Sequence, residues 1–224
     1  MADAAMQAAR RRLTSQGEER KQQLLDRAAE LFAERGYADT RIIDICRAAG
    51  VAKGLFYWYF ENKEALFTEV AGDIRRRLRR YQAEAMDPDA DPLLQLRQGT
   101  EASVRFMAAH ARFFALLEIE NTDRNLVGVL RAGTDIHVRD TKRLIEAGRA
   151  QGLIRVDDPD LLARGAVSAV AAFSHFHRTG RIQVDLDELA RFAGRWVVRS
   201  LAVDDREAAR VEAAPHFARI VQLR

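Results

Sequence analysis

Residues 40–67 read TRIIDICRAAGVAKGLFYWYFENKEALF, two short helices followed by the start of a long one. Two short helices joined by a tight turn meet at a steep angle. That demands a small residue where they touch, a glycine in the turn and apolar anchors beyond it. Cys46, Gly50, Val51 and Phe56 stand at those places. Thr40 suits the N-cap of the first helix, which carries Ile42, Ile45 and Ala49 at helical spacing and stops at Gly50. The second begins near Ala52 or Lys53, with Lys53, Gly54 and Tyr57 on one face and Phe56 and Phe60 on another. Five consecutive aromatics, Phe56 to Phe60, cannot all point inward on one helix. Tyr57 and Tyr59 at least are expected at the surface, and Trp58 is open to either side.

On either side of this stretch the pattern stays helical. A helix is expected over 18–35, with Leu24, Ala28, Leu31 and Phe32 on one face and Gly36 as a left-handed terminator. Asn62 is an N-cap for a helix running through Leu66, Val70 and Ile74 into the arginines of 75–80. The turn-rich segment 86–92 (MDPDADP) breaks the chain there, and helices are expected at 92–109, 111–119, 123–150, 159–178 and 186–202, with one more short helix after Asp204. Asp91-Pro92, Asp158-Pro159 and Asp185 with Glu188 mark starts; Gly152 and Gly180 mark stops. Few prolines and no sustained alternation of period two make the chain all-α. The domains read as a basic arm at 1–17 with Arg10, Arg11 and Arg12, a helix-turn-helix domain at 18–62, a connecting helix at 63–86 and a larger helical domain at 87–224.

An outward face with a lysine, a glycine and tyrosines at a helix start suits double-stranded DNA. Gly54 lets the backbone come close, Lys53 reaches a guanine edge or a phosphate, Leu55 meets a thymine methyl, and Tyr57 and Tyr59 bond phosphate oxygens beside Trp58. Lys63 on one side and Thr40 and Arg41 on the other are expected to brace the phosphate backbone.

These residues resemble the TetR family of bacterial one-component regulators, with a signature near T-x-x-x-I-A-x-x-A-G-V-S-x-G-x-L-Y-x-Y-F-x-x-K-E-x-L. Ile45, Ala49, Gly50, Val51, Gly54, Tyr57, Tyr59, Phe60, Lys63, Glu64 and Leu66 fall in register, and Thr40 stands one residue before the signature's threonine. The resemblance covers roughly residues 20–70. It implies an Ω-shaped homodimer, a recognition helix at about 53–59, and a C-terminal domain that dimerises and binds a small ligand. Ala52 stands where the family often has a serine and Leu55 where it often has threonine, so two hydroxyls are missing and operator preference is expected to differ.

Composition narrows the rest. Of 224 residues 48% are hydrophobic, enough for a sizeable core, and the excess of Lys and Arg over Asp and Glu is only 36 to 33, so charge placement rather than net charge carries the DNA argument. A single cysteine, Cys46, leaves no disulfide framework and no multi-cysteine zinc site. The longest apolar stretch, around Ala166 to Phe173, is less than half of the roughly 18 residues that span a bilayer, and no apolar h-region follows the first methionine. A cytoplasmic, nucleoid-associated protein without membrane contact, metal or cofactor is expected.

In the C-terminal half small residues recur, Gly165, Ala169 and Ala172 on one helix and Ala190, Ala193 and Gly194 beside Val197 on the next. Such stripes let helices approach closely, and these are expected to form a four-helix homodimer interface. Aromatic and polar residues of the central helices, Phe106, His110, Phe114, Glu118, Arg131, His137, Phe173 and His177, are the candidates for contact with a largely apolar effector carrying one polar handle. His175 and His177, two apart on a helix, diverge and make no metal pair. Gly128 to Thr134 lacks the Gly-Lys of a phosphate loop, no G-x-S-x-G occurs, and the chain is not expected to be an enzyme. The expected function is a ligand-released repressor on a palindromic operator; the alternative is a helical partner-binding protein that uses DNA only to localise.

Overall fold

Aspartate side chains open most of the helices in the second half of the chain, and they do so by accepting hydrogen bonds from backbone N–H groups that a helix start leaves unpaired. A computed structural model describes residues 15–119 and 124–215, with side chains described over 17–117 and 134–215. Among the described residues there are ten helices: α1 (Ser15–Asp39), α2 (Ile42–Ala48), α3 (Lys53–Tyr59), α4 (Lys63–Ala85), α5 (Pro92–Ala109), α6 (Ala111–Ile119), α7 (Arg124–Ala150), α8 (Pro159–Arg178), α9 (Leu186–Leu201) and α10 (Asp205–Ala213). Asp91, Asp158, Asp185 and Asp204 cap α5, α8, α9 and α10. Proline follows Asp91 and Asp158 at the first helical position, where its missing N–H costs nothing. Gly50, Gly152 and Gly180 take φ near +70° where helices stop. The fold is all-α; an isolated antiparallel bridge joins Ile154 to Ala202.

The chain divides into two units, Met1–Asp73 and Ile74–Arg224, the division falling within α4. In the first, Leu24, Ala28, Leu31 and Phe32 of α1 are buried with Ile45, Cys46, Phe56, Phe60, Leu66 and Phe67. Phe32 and Phe67 meet edge to face at 5.5 Å, and Tyr37 closes on both. Gly36 does not take the left-handed helical form expected of it. Its φ of 81° and ψ of 165° lie in an extended positive-φ region open essentially to glycine alone, and a short helical turn follows to Asp39.

In the second unit α5 packs on α7, α8, α9 and α10. The closest approach is to α9: a Cβ on Gly194 would lie 3.0 Å from Glu101 Cγ and 3.1 Å from Arg97 Cγ. Ala190, Ala193 and Val197 are buried on the same face. This corrects the expected dimer stripe on α9, whose four residues are buried within their own chain, Gly194 against α5. Arg97 is almost wholly buried and donates to the main-chain oxygens of Val211, Ala214 and Pro215, so it ties the end of α10 to α5.

On the outer faces of α8 and α9 the side chains differ. Leu161 is 71% exposed and Phe176 is exposed on α8, in helical register with Gly165, Ala169 and Ala172. Phe192 at 45% and Trp196 at 39% stand on α9, with Phe173 edge-on to both. Among the described residues no helix is long and apolar enough to cross a membrane.

Candidate functional site

The seven residues of α3 sort by burial as the spacing required. Phe56 and Phe60 are buried, 5.6 Å apart, and fix the helix to the unit. Lys53 and Gly54 are exposed, Leu55 is half-buried, and Tyr57 and Trp58 are 50% and 58% exposed. Lys53 Nζ lies 5.7 Å from the centre of the Tyr57 ring, so a cation and an amphipathic aromatic share the surface. A Cβ at Gly54 would meet nothing within 4 Å, and its φ is not positive. Packing and backbone therefore do not require glycine there. Behind α3, burial pushes the Cys46 thiol up from its ordinary value, which suits a packing residue and not a nucleophile. At the start of α2, exposed Arg41 grips Asp44 through Nε and Nη2 at 2.8 and 3.3 Å and holds its carboxyl below the usual range. Ile43, which the motif does not single out, is also exposed.

Three residues expected to face DNA are engaged elsewhere. Thr40 is fully buried, and its hydroxyl is within hydrogen-bonding distance of the carbonyls of Gly36 at 2.7 Å and Leu31 at 3.2 Å. It does not cap α2; Arg41 holds the N-cap position, with no side-chain hydrogen bond to the backbone of the helix start. Lys63 Nζ donates to the carbonyls of Tyr37, Ala38 and Thr40 at 2.6, 3.2 and 3.0 Å and sits 4.3 Å from the centre of the Tyr37 ring. Its charge thus gathers the α1–α2 connection. Tyr59 is half-buried, and its hydroxyl donates to the Gly17 carbonyl at 2.8 Å. The N-terminal arginines lie outside the described residues.

The second unit contains a cavity of about 330 Å³. Val104, Met107, Phe114, Leu186 and Leu189 supply hydrocarbon walls, and Ser174, His175, His177 and Arg178 supply the polar lining. Of the effector candidates, Phe114 and His177 line it. Phe106 is buried and stacks on His110 at 4.1 Å, while His110 Nδ1 bonds the Phe106 carbonyl; both are packing residues at the end of α5. Burial lowers the pKa of His110 from its ordinary value, and also that of His137, which lies on α7 away from the cavity. Phe173 packs toward α9 instead. Glu118 and Arg131 lie outside the residues with described side chains. Sequence reasoning missed Ser174, His175 and Arg178. Their signal was present: Ala171, Ser174, His175 and Arg178 follow i, i+3, i+4, i+7, a helical stripe that turns polar at its end. His175 and His177 both reach the cavity because it wraps the last turn of α8.

Residues 24–70, from within α1 to within α4, match the model of the family described as bacterial regulatory proteins, tetR family. Over 149 residues the chain is 30% identical to the HTH-type transcriptional repressor DhaR of Mycobacterium sp. (strain GP1), an alignment covering 64% of this chain and 74% of that one. The chain belongs to the TetR family. It is also 30% identical over 143 residues to the Escherichia coli (strain K12) protein described as "Probable acrEF/envCD operon repressor", 60% of this chain but only 64% of that relative's length. A TetR-like transcriptional regulator from Rhodococcus sp. RHA1 superposes with a TM-score of 0.62 at 27% identity, over 80% of this chain and 94% of that one. Within the TetR pattern the departure at Ala52 has a visible local effect. Ala52 holds the extended N-cap backbone of α3, φ −71° and ψ 146°, with no side-chain hydrogen bond to the helix start.

Proposed function

We propose that this chain is a homodimeric, DNA-binding transcriptional repressor released from a palindromic operator by a small molecule. The observation that carries the reading is the surface of α3. Lys53, Gly54, Tyr57 and Trp58 stand open to solvent, on a helix anchored from behind by Phe56 and Phe60, in a unit that matches the family model. With Leu55 and Arg41 these residues make the DNA-reading set; Thr40, Tyr59 and Lys63 support it from within. In a dimer the two copies of α3 meet successive major grooves roughly 34 to 36 Å apart. The exposed apolar face of α8 and α9, with Leu161, Gly165, Ala172, Phe176, Phe192 and Trp196, favours pairing through that face in place of the buried stripe. The cavity of the second unit is the effector site. Effector releases DNA by binding more tightly to a form whose two reading helices have the wrong spacing, since only differential affinity shifts an equilibrium.

The test is selection of binding sites from random DNA followed by titration at several salt concentrations. An inverted repeat is expected, with affinity falling steeply with salt, and Lys53→Ala should weaken binding and flatten the salt slope by about one. Recovery of no symmetric site would overturn the proposal.

A further inference from the structure

Among the described residues of the first unit, three large apolar side chains are exposed: Ile43, Tyr57 and Trp58. All three lie on α2 and α3, and cations stand beside them. From residue 41 to residue 59 the chain carries Arg41, Arg47 and Lys53 against one anion, Asp44. That carboxylate is turned in against Arg41 and Arg47, at 2.8 and 3.8 Å. Ile43 and Arg47, four apart, share a face of α2, and both are exposed. Such a surface, cationic with apolar points, suits a polyanion whose recognition edges also carry hydrocarbon.

Ile43 differs from the other two exposed residues. A tyrosine hydroxyl or an indole N–H meets water or a phosphate oxygen, so Tyr57 and Trp58 can stand in solvent with a polar tip. The side chain of Ile43 has no donor and no acceptor, yet the residue is 44% exposed. Only an apolar partner would gain from covering it. On the base edges of the major groove, the apolar group is the C5-methyl of thymine. Sequence spacing assigns that contact to Leu55, but Leu55 is half-buried, and Ile43 is the more open aliphatic side chain.

On the reading that the first unit binds an operator, we propose that Ile43 is a specificity-determining residue and that each half-site carries a thymine whose methyl group packs on it. In helix-turn-helix docking the first helix crosses the phosphate backbone while the second lies in the groove. Arg41 and Arg47 then meet phosphates on either side of Ile43, and the isoleucine covers a base at the groove edge. Cytosine at that place would offer an amino group that Ile43 cannot accept, and the two purines offer polar edges.

The experiment uses the full chain and the inverted repeat selected from random DNA. Each thymine is replaced in turn by deoxyuracil, which keeps the Watson–Crick edge and lacks only the methyl, and Kd is read by anisotropy. At one thymine position the loss is expected to be about fourfold in one half-site and about fifteenfold in both, the worth of burying one methyl-sized group. Ile43→Ala should bind the thymine and uracil operators alike, and Ile43→Val should keep most of the discrimination. Both variants trim an exposed side chain and should melt close to the parent. The uracil scan of the parent needs no variant, and a scan in which no position responds overturns the inference. So does a response that persists in Ile43→Ala, or one that only Leu55→Ala erases; in each of these cases the operator reading stands. Recovery of no symmetric site defeats the operator reading, and this inference with it.

Discussion

Replacing Gly54 by alanine separates a glycine kept for folding from one kept for DNA. Nothing lies within 4 Å of where its Cβ would be, and its backbone is within reach of any L-residue. Folding therefore favours the change. Alanine in a helix is better than glycine by about 0.5–1 kcal/mol, with the low end expected in the first turn of a seven-residue helix. On DNA the sign reverses. A methyl group on the surface that approaches the duplex holds the backbone off and loosens the contacts beside it, the equivalent of one specific pairing. That is about 1–3 kcal/mol, or about 5- to 150-fold in Kd. Urea melts and anisotropy titrations on a selected operator measure the two quantities on the same preparation. The expected result for Gly54→Ala is equal or higher stability with weaker binding. Unchanged affinity would show that DNA does not come close at Gly54, and a joint fall in stability and affinity would show that the glycine is structural after all.

Lys63→Met removes the ammonium that collects three carbonyls of the α1–α2 connection, and should cost about 2 kcal/mol of stability by urea denaturation, since bonds to charged groups contribute about 1.5–3 kcal/mol each and water can reach part of this site. Trp196→Glu, on the exposed face of α9, should raise the dimer dissociation constant by about 30-fold or more in light scattering, while helicity by circular dichroism stays as in the parent. Acidification should destabilise the second unit in a defined window. His110 and His137 are held below the ordinary 6.5 chiefly by burial; the Phe106 carbonyl opposes the shift at His110 and Arg77 adds to it, while at His137 Asp140 opposes it and Arg75 and Arg79 add to it. The unfolded chain thus takes up protons first as pH falls through about 6.5, and stability drops from there until the folded imidazoles also titrate. His137→Gln should lessen the loss between pH 7.5 and 5. Asp44, Asp91 and Glu212, held below the usual carboxylate range, lose their contribution only at lower pH.

The helices were legible because their ends are written in local chemistry. Asp91, Asp158 and Asp185 accept the N–H bonds expected of them, and α5, α6 and α8 have the bounds their caps imply. Phe56 and Phe60 were legible as inward residues because a helix has one buried face. Facing partners were not legible. Small residues at 190, 193 and 194 announce a close helix crossing without saying whose helix crosses, and the answer is α5 of the same chain. Thr40 and Lys63 lie at a junction of two helix ends, where a hydroxyl or ammonium has carbonyls within reach that no linear spacing reveals. The cavity escaped because it wraps the end of a helix, so its lining mixes one stripe with the flank beside it.

The polarity of the cavity is concentrated in the last turn of α8. Its polar lining comes from four neighbouring residues, Ser174, His175, His177 and Arg178, whereas its hydrocarbon walls come from α5, α6 and α9. On the proposal that this cavity is the effector site, a reporter strain could be retuned along two independent axes: exchanging that turn should change the functional group sensed, and trimming or enlarging Met107, Phe114 or Leu189 should change the size of molecule admitted.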